Sequence, residues 1–350
     1  MGQVPCHTCH GGDPSDSDWK TAHNGTIKDP TFPTADKACG ECHQEIVSTA
    51  KKSLHYTLAP FRRVIDTRSG KTDKKTQEKL AYAQKKHCSE CHASCGQCHV
   101  SRPDYVQGGF LDKHQFKKTP PMETTCAACH GGRVFEEFTG LRNRYAADVH
   151  YESEKMECTD CHGADELHAD GSKAVNRFDL PERPNCLTCH EEVASHKPKT
   201  ESHRIHNNKV ACQVCHSQVY KNCFSCHVGT DEKGLAYYTC KETKVLFRIG
   251  LNPARSNGRP YDYMVVRHAP ADPQLFDHYV KNGLPNFDSL PTWKKSAPHN
   301  IRRITPQNKK CNNCHGNASL FLSEEDMAKW EREANAEVLV PTERIPALSK

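Results

Sequence analysis

Residues 88–99 read CSECHASCGQCH, a Cys-x-x-Cys-His run written twice with two residues between the copies. Working outward, the same five-residue pattern opens at Cys6, Cys39, Cys126, Cys158, Cys186, Cys212, Cys223 and Cys311. The ten copies use every one of the 21 cysteines except Cys240. Their spacing is uneven. Motifs starting at Cys88 and Cys95 are seven residues apart, a stretch that reaches no more than about 25 Å even when extended. Those starting at Cys212 and Cys223 are eleven apart. Each pair is therefore expected to be close in space.

The rest of the composition argues against an ordinary interior. Of 350 residues, 35 % are hydrophobic, 7 % aromatic and 26 % charged. Mean hydropathy is −0.81. Such a chain does not bury enough aliphatic surface to fold by that means alone. It carries 23 His besides its cysteines, so whatever fills the interior must bind Cys and His. No apolar run is long enough for a transmembrane helix. No secretory leader is expected within this sequence, because Cys6 already belongs to a motif.

The pattern is the attachment signature of c-type haem. Two thiols three positions apart reach the two vinyl groups on one porphyrin edge and form thioethers. The histidine after the second cysteine then lies under the ring and ligates the iron. Zinc sites and disulfide scaffolds use paired cysteines too, but neither needs a histidine after every pair. At this His content, ten chance repeats have a probability of roughly 10⁻¹². The expected cofactor is ten covalently bound haems c. The tethers are Cys6, Cys9, Cys39, Cys42, Cys88, Cys91, Cys95, Cys98, Cys126 and Cys129, then Cys158, Cys161, Cys186, Cys189, Cys212, Cys215, Cys223, Cys226, Cys311 and Cys314. The proximal ligands are His10, His43, His92, His99, His130, His162, His190, His216, His227 and His315.

Thirteen histidines remain for the opposite faces, against only five methionines. Bis-His ligation, which gives low-potential haems, is the economical reading. The expected distal set is His23, His55, His87, His114, His150, His168, His203, His206, His268 and His299. His55, His150 and His168 have apolar or aromatic neighbours able to wall a haem. His203 and His206 share a helical face at i, i+3. His7 lies inside an attachment loop, His196 in a lysine-rich stretch, and His278 has no feature that demands ligation. His7 stays a candidate ligand for a haem of a neighbouring chain. Saturated irons point to electron transfer and not to substrate conversion, so no catalytic residue is assigned.

The expected fold is mostly irregular, with short α-helices around a haem-packed core. It divides into a nine-haem array over 1–228, a haem-free segment over 229–310, and the tenth haem with a C-terminal helix and tail over 311–350. In the haem-free segment KVLFRIG (244–250) and YDYMVVR (261–267) are rich in β-formers and flank turn residues, which predicts a hairpin or small sheet. Residues 74–83 read as a helix, as do 324–337, where Ser323 and Asp326 resemble a capping box and Met327, Trp330 and Ala334 form an apolar stripe. Residues 290–306 read as a loop. Cys240 reads as a buried thiol.

The formal charge is +5. Two propionates and one ferric core charge give each oxidised haem a net −1, so ten bring the protein to about −5. The basic sequence is therefore no sign of nucleic-acid binding, and many Lys and Arg are expected to pair with propionates.

On CHASCGQCHVSRP, CQVCHSQVYKNCFSCH, APHNIRR and CNNCHG, the sequence resembles the decahaem c-type cytochromes among the multihaem cytochromes of anaerobic respiration and extracellular electron transfer. That resemblance implies export before haem attachment, with a periplasmic, cell-surface or extracellular location. It also implies redox partner proteins or extracellular electron acceptors, and it permits a homopolymeric filament. The competing resemblance is to multihaem oxidoreductases of the hydroxylamine, nitrite or tetrathionate type, which keep one haem open. Some of those carry Lys in place of the motif His; all ten motifs here end in His. Mature protein should exceed its 39.4 kDa polypeptide mass by ten haems. Intact-mass measurement checks this, and a mass equal to bare polypeptide refutes it.

Overall fold

The computed structural model describes residues 4–31, 34–88, 93–103, 106–140, 145–171, 174–180, 183–194, 199–256, 258–269 and 272–349. The chain divides into two units. The first comprises Met1–Arg63, Cys88–Gly131 and Glu157–Arg183. The second comprises Val64–His87, Gly132–Met156 and Pro184–Lys350.

The first unit is built from short helices of mostly four to seven residues, among them Cys6–His10, Gln44–Ala50, Cys95–His99 and Cys158–Cys161. Several begin at or within an attachment motif, including Cys6–His10, Cys95–His99, Ala127–His130 and Cys158–Cys161. Ser94 starts Cys95–His99 with a capping box, its hydroxyl accepting from the Gln97 amide while Gln97 reaches back to the Ser94 amide. The buried apolar residues here are few and mostly small, such as Ala35, Val47, Leu58 and Met122. They do not gather into a cluster of their own: both hydrophobic clusters among the described residues lie in the second unit.

The second unit holds the helix expected over 74–83, which runs Lys74–His87 and buries Leu80 and Ala83. Its last turn carries Lys85, Lys86 and His87, which complement the helix dipole. Two antiparallel sheets follow. β1 (Tyr220–Thr230) pairs with β2 (Ala236–Leu246), placing Cys226 opposite Cys240. In the turn between them Asp231 accepts from the Lys233 and Leu235 amides, and Gly234 takes φ 76°. β3 (Ile249–Leu251), β4 (Tyr263–His268) and β5 (Trp293–Lys295) form the second sheet, with β4 central. The expected small sheet is therefore present, its β3–β4 pair drawn from the two predicted β-rich stretches. At Gly250 a Cβ would stand 2.7 Å from the Val266 side chain and 2.9 Å from the Val338 carbonyl, so only glycine lets these strands close. The sheet carries the larger hydrophobic cluster, including Tyr220, Ile249, Val265, Val266, Trp293 and Leu322.

Two expectations are corrected. Residues 324–337 are not one helix but three 3₁₀ turns, Glu324–Asp326, Lys329–Glu331 and Ala336–Val338. The Ser323–Asp326 capping box does form. Beyond it the backbone is drawn inward by polar anchors: Asn335, fully buried, accepts from the Trp293 amide at 2.8 Å and donates to Thr292, and Glu331 meets His268 at 2.6 Å. Tertiary bonds of this kind outweigh helix propensity. Cys240 is exposed and not buried, because its strand β2 lies at an edge of a two-stranded sheet. Leu322, with no exposed surface, tests the sheet core. Leu322→Ala should cost about 2–5 kcal/mol, lowering the denaturation midpoint with an unchanged haem count.

Candidate haem sites

Local backbone explains why the motif works as a unit. In the motifs starting at Cys39, Cys158, Cys186 and Cys311, the histidine amide donates to the carbonyl of the first cysteine at 2.8–2.9 Å. This closes one α-turn. Residues i, i+3 and i+4 then share a face, so both thiols and the imidazole address one ligand. The motifs at Cys6, Cys95 and Cys212 lie on helices that do the same, Cys6–His10, Cys95–His99 and Cys212–His216.

An imidazole binds a transition metal at about 2 Å from its nitrogen, so two rings clasping one iron stand about 6 Å apart between centres. Among the described residues six histidine pairs have this spacing. In the first unit they are His10–His114 at 5.7 Å, His55–His130 at 6.1 Å and His99–His168 at 6.0 Å. In the second they are His150–His190 at 6.1 Å, His203–His216 at 6.0 Å and His206–His315 at 6.0 Å. Each joins one motif histidine to one non-motif histidine. Among the described residues no three or more His, Cys, Asp or Glu converge as a metal cluster; the histidines meet in twos.

Outer hydrogen bonds orient these rings. Nδ1 donates to a backbone carbonyl in His10 (Ile27), His99 (Lys117), His206 (Ser202), His216 (Arg302) and His315 (Ala347), at 2.7–3.1 Å. His150 donates Nδ1 to Asp148 and His162 to Glu166, both at 2.8 Å. Such bonds fix the tautomer that leaves Nε2 unprotonated, and they raise its basicity as a ligand. Desolvation, then the neighbouring His130, pushes His55 down to about 4. Desolvation likewise lowers His130, His168 and His216, holding these rings neutral.

The thiols add a second pattern. The first cysteines of three motif pairs lie close enough to shift each other's titration: Cys39 with Cys95, Cys126 with Cys158, and Cys186 with Cys212. In each pair this closeness holds one thiol above its ordinary range and lowers the other to about 7. No disulfide joins the described cysteines. Two clefts abut motifs. One, of about 410 Å³, is lined by Gly40, Glu41 and Gln44; the other, of about 660 Å³, by Asn312, Asn313 and Gly316. The donor set and its spacing fit haem.

Other expected ligands stand differently. His23 donates Nδ1 to Trp19 at 2.7 Å and so belongs to the oriented type. His299 donates its backbone amide to Glu137. His87 turns Nε2 to the Tyr279 hydroxyl at 2.7 Å. His268, 3 % exposed, has oxygens at both nitrogens: the Cys223 carbonyl at 2.9 Å and Glu331 at 2.6 Å. His278 meets Thr230 through Nε2. Cys91, His92 and His196 lie outside the described residues. The ninth motif, Cys223 to His227, lies on strand β1 and not on a helical turn. Nothing in its sequence distinguishes it except the β-branched and aromatic run that follows.

No family model matches the chain, and no solved structure matches it. Over 114 residues, 30 % of its length, it is 27 % identical to the cytochrome c-type protein NrfB of Escherichia coli O6:H1. The chain spans 58 % of that relative. No helix among the described residues is long and apolar enough to cross a membrane.

Asp148 tests the outer layer. It is 3 % exposed, caps the helix Val149–Glu154 and holds the His150 ring. Asp148→Ser should keep most of the capping, whereas Asp148→Ala should lose about 1 kcal/mol. Both remove the carboxylate from Nδ1, so both should raise the potential of one haem, read by redox titration against thermal stability.

Proposed function

We propose that this chain is a multihaem c-type cytochrome whose work is electron transfer, with haem c held at its ten Cys-x-x-Cys-His motifs. The observation that carries the reading is the six mixed histidine pairs at 5.7–6.1 Å. A chance meeting of histidines has no reason to join a motif histidine to a non-motif one every time. Similarity to a cytochrome c-type protein supports the same conclusion.

In this reading His114, His55, His168, His150, His203 and His206 are distal ligands. Six-coordinate bis-His iron offers no substrate position and changes little on reduction, which suits it to passing electrons. The paired thiols suggest the order of hopping. A thioether sits at a porphyrin edge, so motifs whose first cysteines touch hold haems edge to edge. Cys39–Cys95, Cys126–Cys158 and Cys186–Cys212 make neighbours of haems two and four, five and six, and seven and eight. Cys9 lies in electrostatic range of Cys39, Cys98 of Cys126, and Cys215 of Cys314. The first unit thus carries the order one, two, four, five, six, and the second carries seven, eight, ten. Haem attachment outside the cytoplasmic membrane makes the protein an exported one, acting on redox partner proteins or extracellular acceptors. A filament of such chains would lengthen the same conduit.

His114→Ala and His203→Ala should each convert one haem per chain from low to high spin, and His7→Ala should convert none. Magnetic circular dichroism counts the spin states. An unchanged count in both paired variants overturns the ligand assignment.

A further inference from the structure

The ninth motif, Cys223 to His227, does not fit a haem. A porphyrin edge needs two thiols on one side of the backbone and free to reach it. The motif lies wholly within β1, and residues i and i+3 of a strand point to opposite faces. Its ladder with β2 keeps one register from Tyr220–Leu246 to Thr230–Ala236, with only Ser225, at φ 45°, left out. Cys226 is 1 % exposed and is the one buried cysteine among those described. The Tyr238 hydroxyl donates to its Sγ at 3.0 Å. The backbone on either side is committed. The Cys223 carbonyl accepts Nδ1–H of His268 at 2.9 Å, and the Val228 amide donates to the Leu275 carbonyl at 3.1 Å. Val228 is itself buried in the smaller hydrophobic cluster, with Leu80, Phe276 and Phe287. Seating a porphyrin here would require β2 to leave and that cluster to open.

Cys226 faces Cys240 instead. The two are direct partners in the ladder. Opposed residues of an antiparallel pair have Cα atoms about 4.5–5.5 Å apart, inside the span of a disulfide. Cys240 is also the one cysteine outside the ten motifs. Both are thiols in the structure. The Cys240 Sγ lies 3.7 Å from the Thr243 hydroxyl, while Tyr238 holds Cys226. They differ in access: Cys240 is exposed and Cys226 is not. An external reagent therefore meets Cys240 first.

We propose that the ninth motif is a thiol site and not a haem site: Cys226 pairs across the hairpin with Cys240 as a reversible disulfide, and the mature chain carries haem at the nine other motifs. This rests on the haem reading of those motifs and removes one site from the ten. The Cys240 thiolate attacks a small-molecule disulfide, oxidised glutathione, forming a mixed disulfide and releasing one glutathione thiolate. The Cys226 thiolate then attacks the Cys240 Sγ and releases the second. Two protein thiols lose two electrons and two protons, and the external disulfide takes them up as two thiols. The product ties β2 to β1 covalently at the point where a porphyrin would have to enter.

The test uses the mature, exported protein. Its intact mass should equal the polypeptide with nine haems, and the peptide holding Cys223 and Cys226 should carry none. After treatment with oxidised glutathione, that peptide should be joined to the one holding Cys240, and a reductant should part them. Iodoacetamide should label Cys223 within the joined pair. Cys223→Ser should change neither the haem count nor the cross-link, and Cys240→Ser should lose the cross-link and keep nine haems. A ten-haem mass, with haem on Cys223 and Cys226, overturns this inference and leaves the haem reading intact. A nine-haem protein whose vacant motif is a different one overturns it as well. A disulfide between Cys223 and Cys226, with the label on Cys240, overturns the pairing, as does loss of a haem in Cys223→Ser. A mass equal to bare polypeptide overturns the haem reading itself.

Discussion

The structure depends on hydrogen bonds at the back of its imidazoles. A neutral histidine has one N–H and one lone pair, and whichever nitrogen is given an acceptor decides where the lone pair points. Carbonyls of Ile27, Lys117, Ser202, Arg302 and Ala347, together with the Asp148 and Glu166 carboxylates, make that decision for Nδ1. For all of these but His162, the centre of a second imidazole lies about 6 Å away. The acceptors lie up to 86 residues from the rings they orient. Much of the irregular polypeptide can thus be understood as a frame that delivers carbonyls to histidines.

The two units solve the problem of an interior in different ways. The first has no aliphatic cluster among its described residues, and its histidine pairs and cysteines are half-buried or exposed. The second combines histidine pairs with an ordinary hydrophobic sheet built on Ile249, Val265, Val266, Trp293 and Leu322. Burial at about 25 cal/mol per Å² lets such a cluster stand without help from a cofactor. The second unit therefore has two sources of stability, and its β-sheet is a platform from which His268, Arg267 and Glu331 are held.

Much of this was legible in the sequence because haem attachment is a local code. Spacing i, i+3, i+4 is fixed by the helical turn, so motif positions follow from counting. Distal histidines are a non-local matter. His114 and His206 stand far from His10 and His315 along the chain, and only supply and demand connects them in sequence. His268 shows the limit: its environment, a buried carboxylate and a stolen carbonyl, is assembled from residues 223, 268 and 331 and leaves no trace in any one stretch. The 324–337 segment failed for the same reason. Its helical period is real, but Glu331 and Asn335 are spent on partners in other elements. The hydrophobic sheet was underestimated because overall composition averages a polar first unit with an apolar second one.

Contacts between cysteines carry the argument a step further. Porphyrins joined to the chain by one edge are positioned chiefly by where that edge is anchored. Electron hopping is steep in distance, so the spacing of anchors matters more than the number of haems. In the reading proposed above, sequence neighbours are not always conduction neighbours: Cys39 of the second motif and Cys95 of the fourth come close enough to perturb each other across 56 residues of chain. The protein thus separates two problems. In that reading, covalent attachment follows the linear order of motifs, and the path of electrons follows which cysteines the fold brings together. A point change that shifts one anchor, such as filling the space at Gly96 where a Cβ would stand 2.8 Å from the Thr31 hydroxyl, acts on the path without touching any ligand.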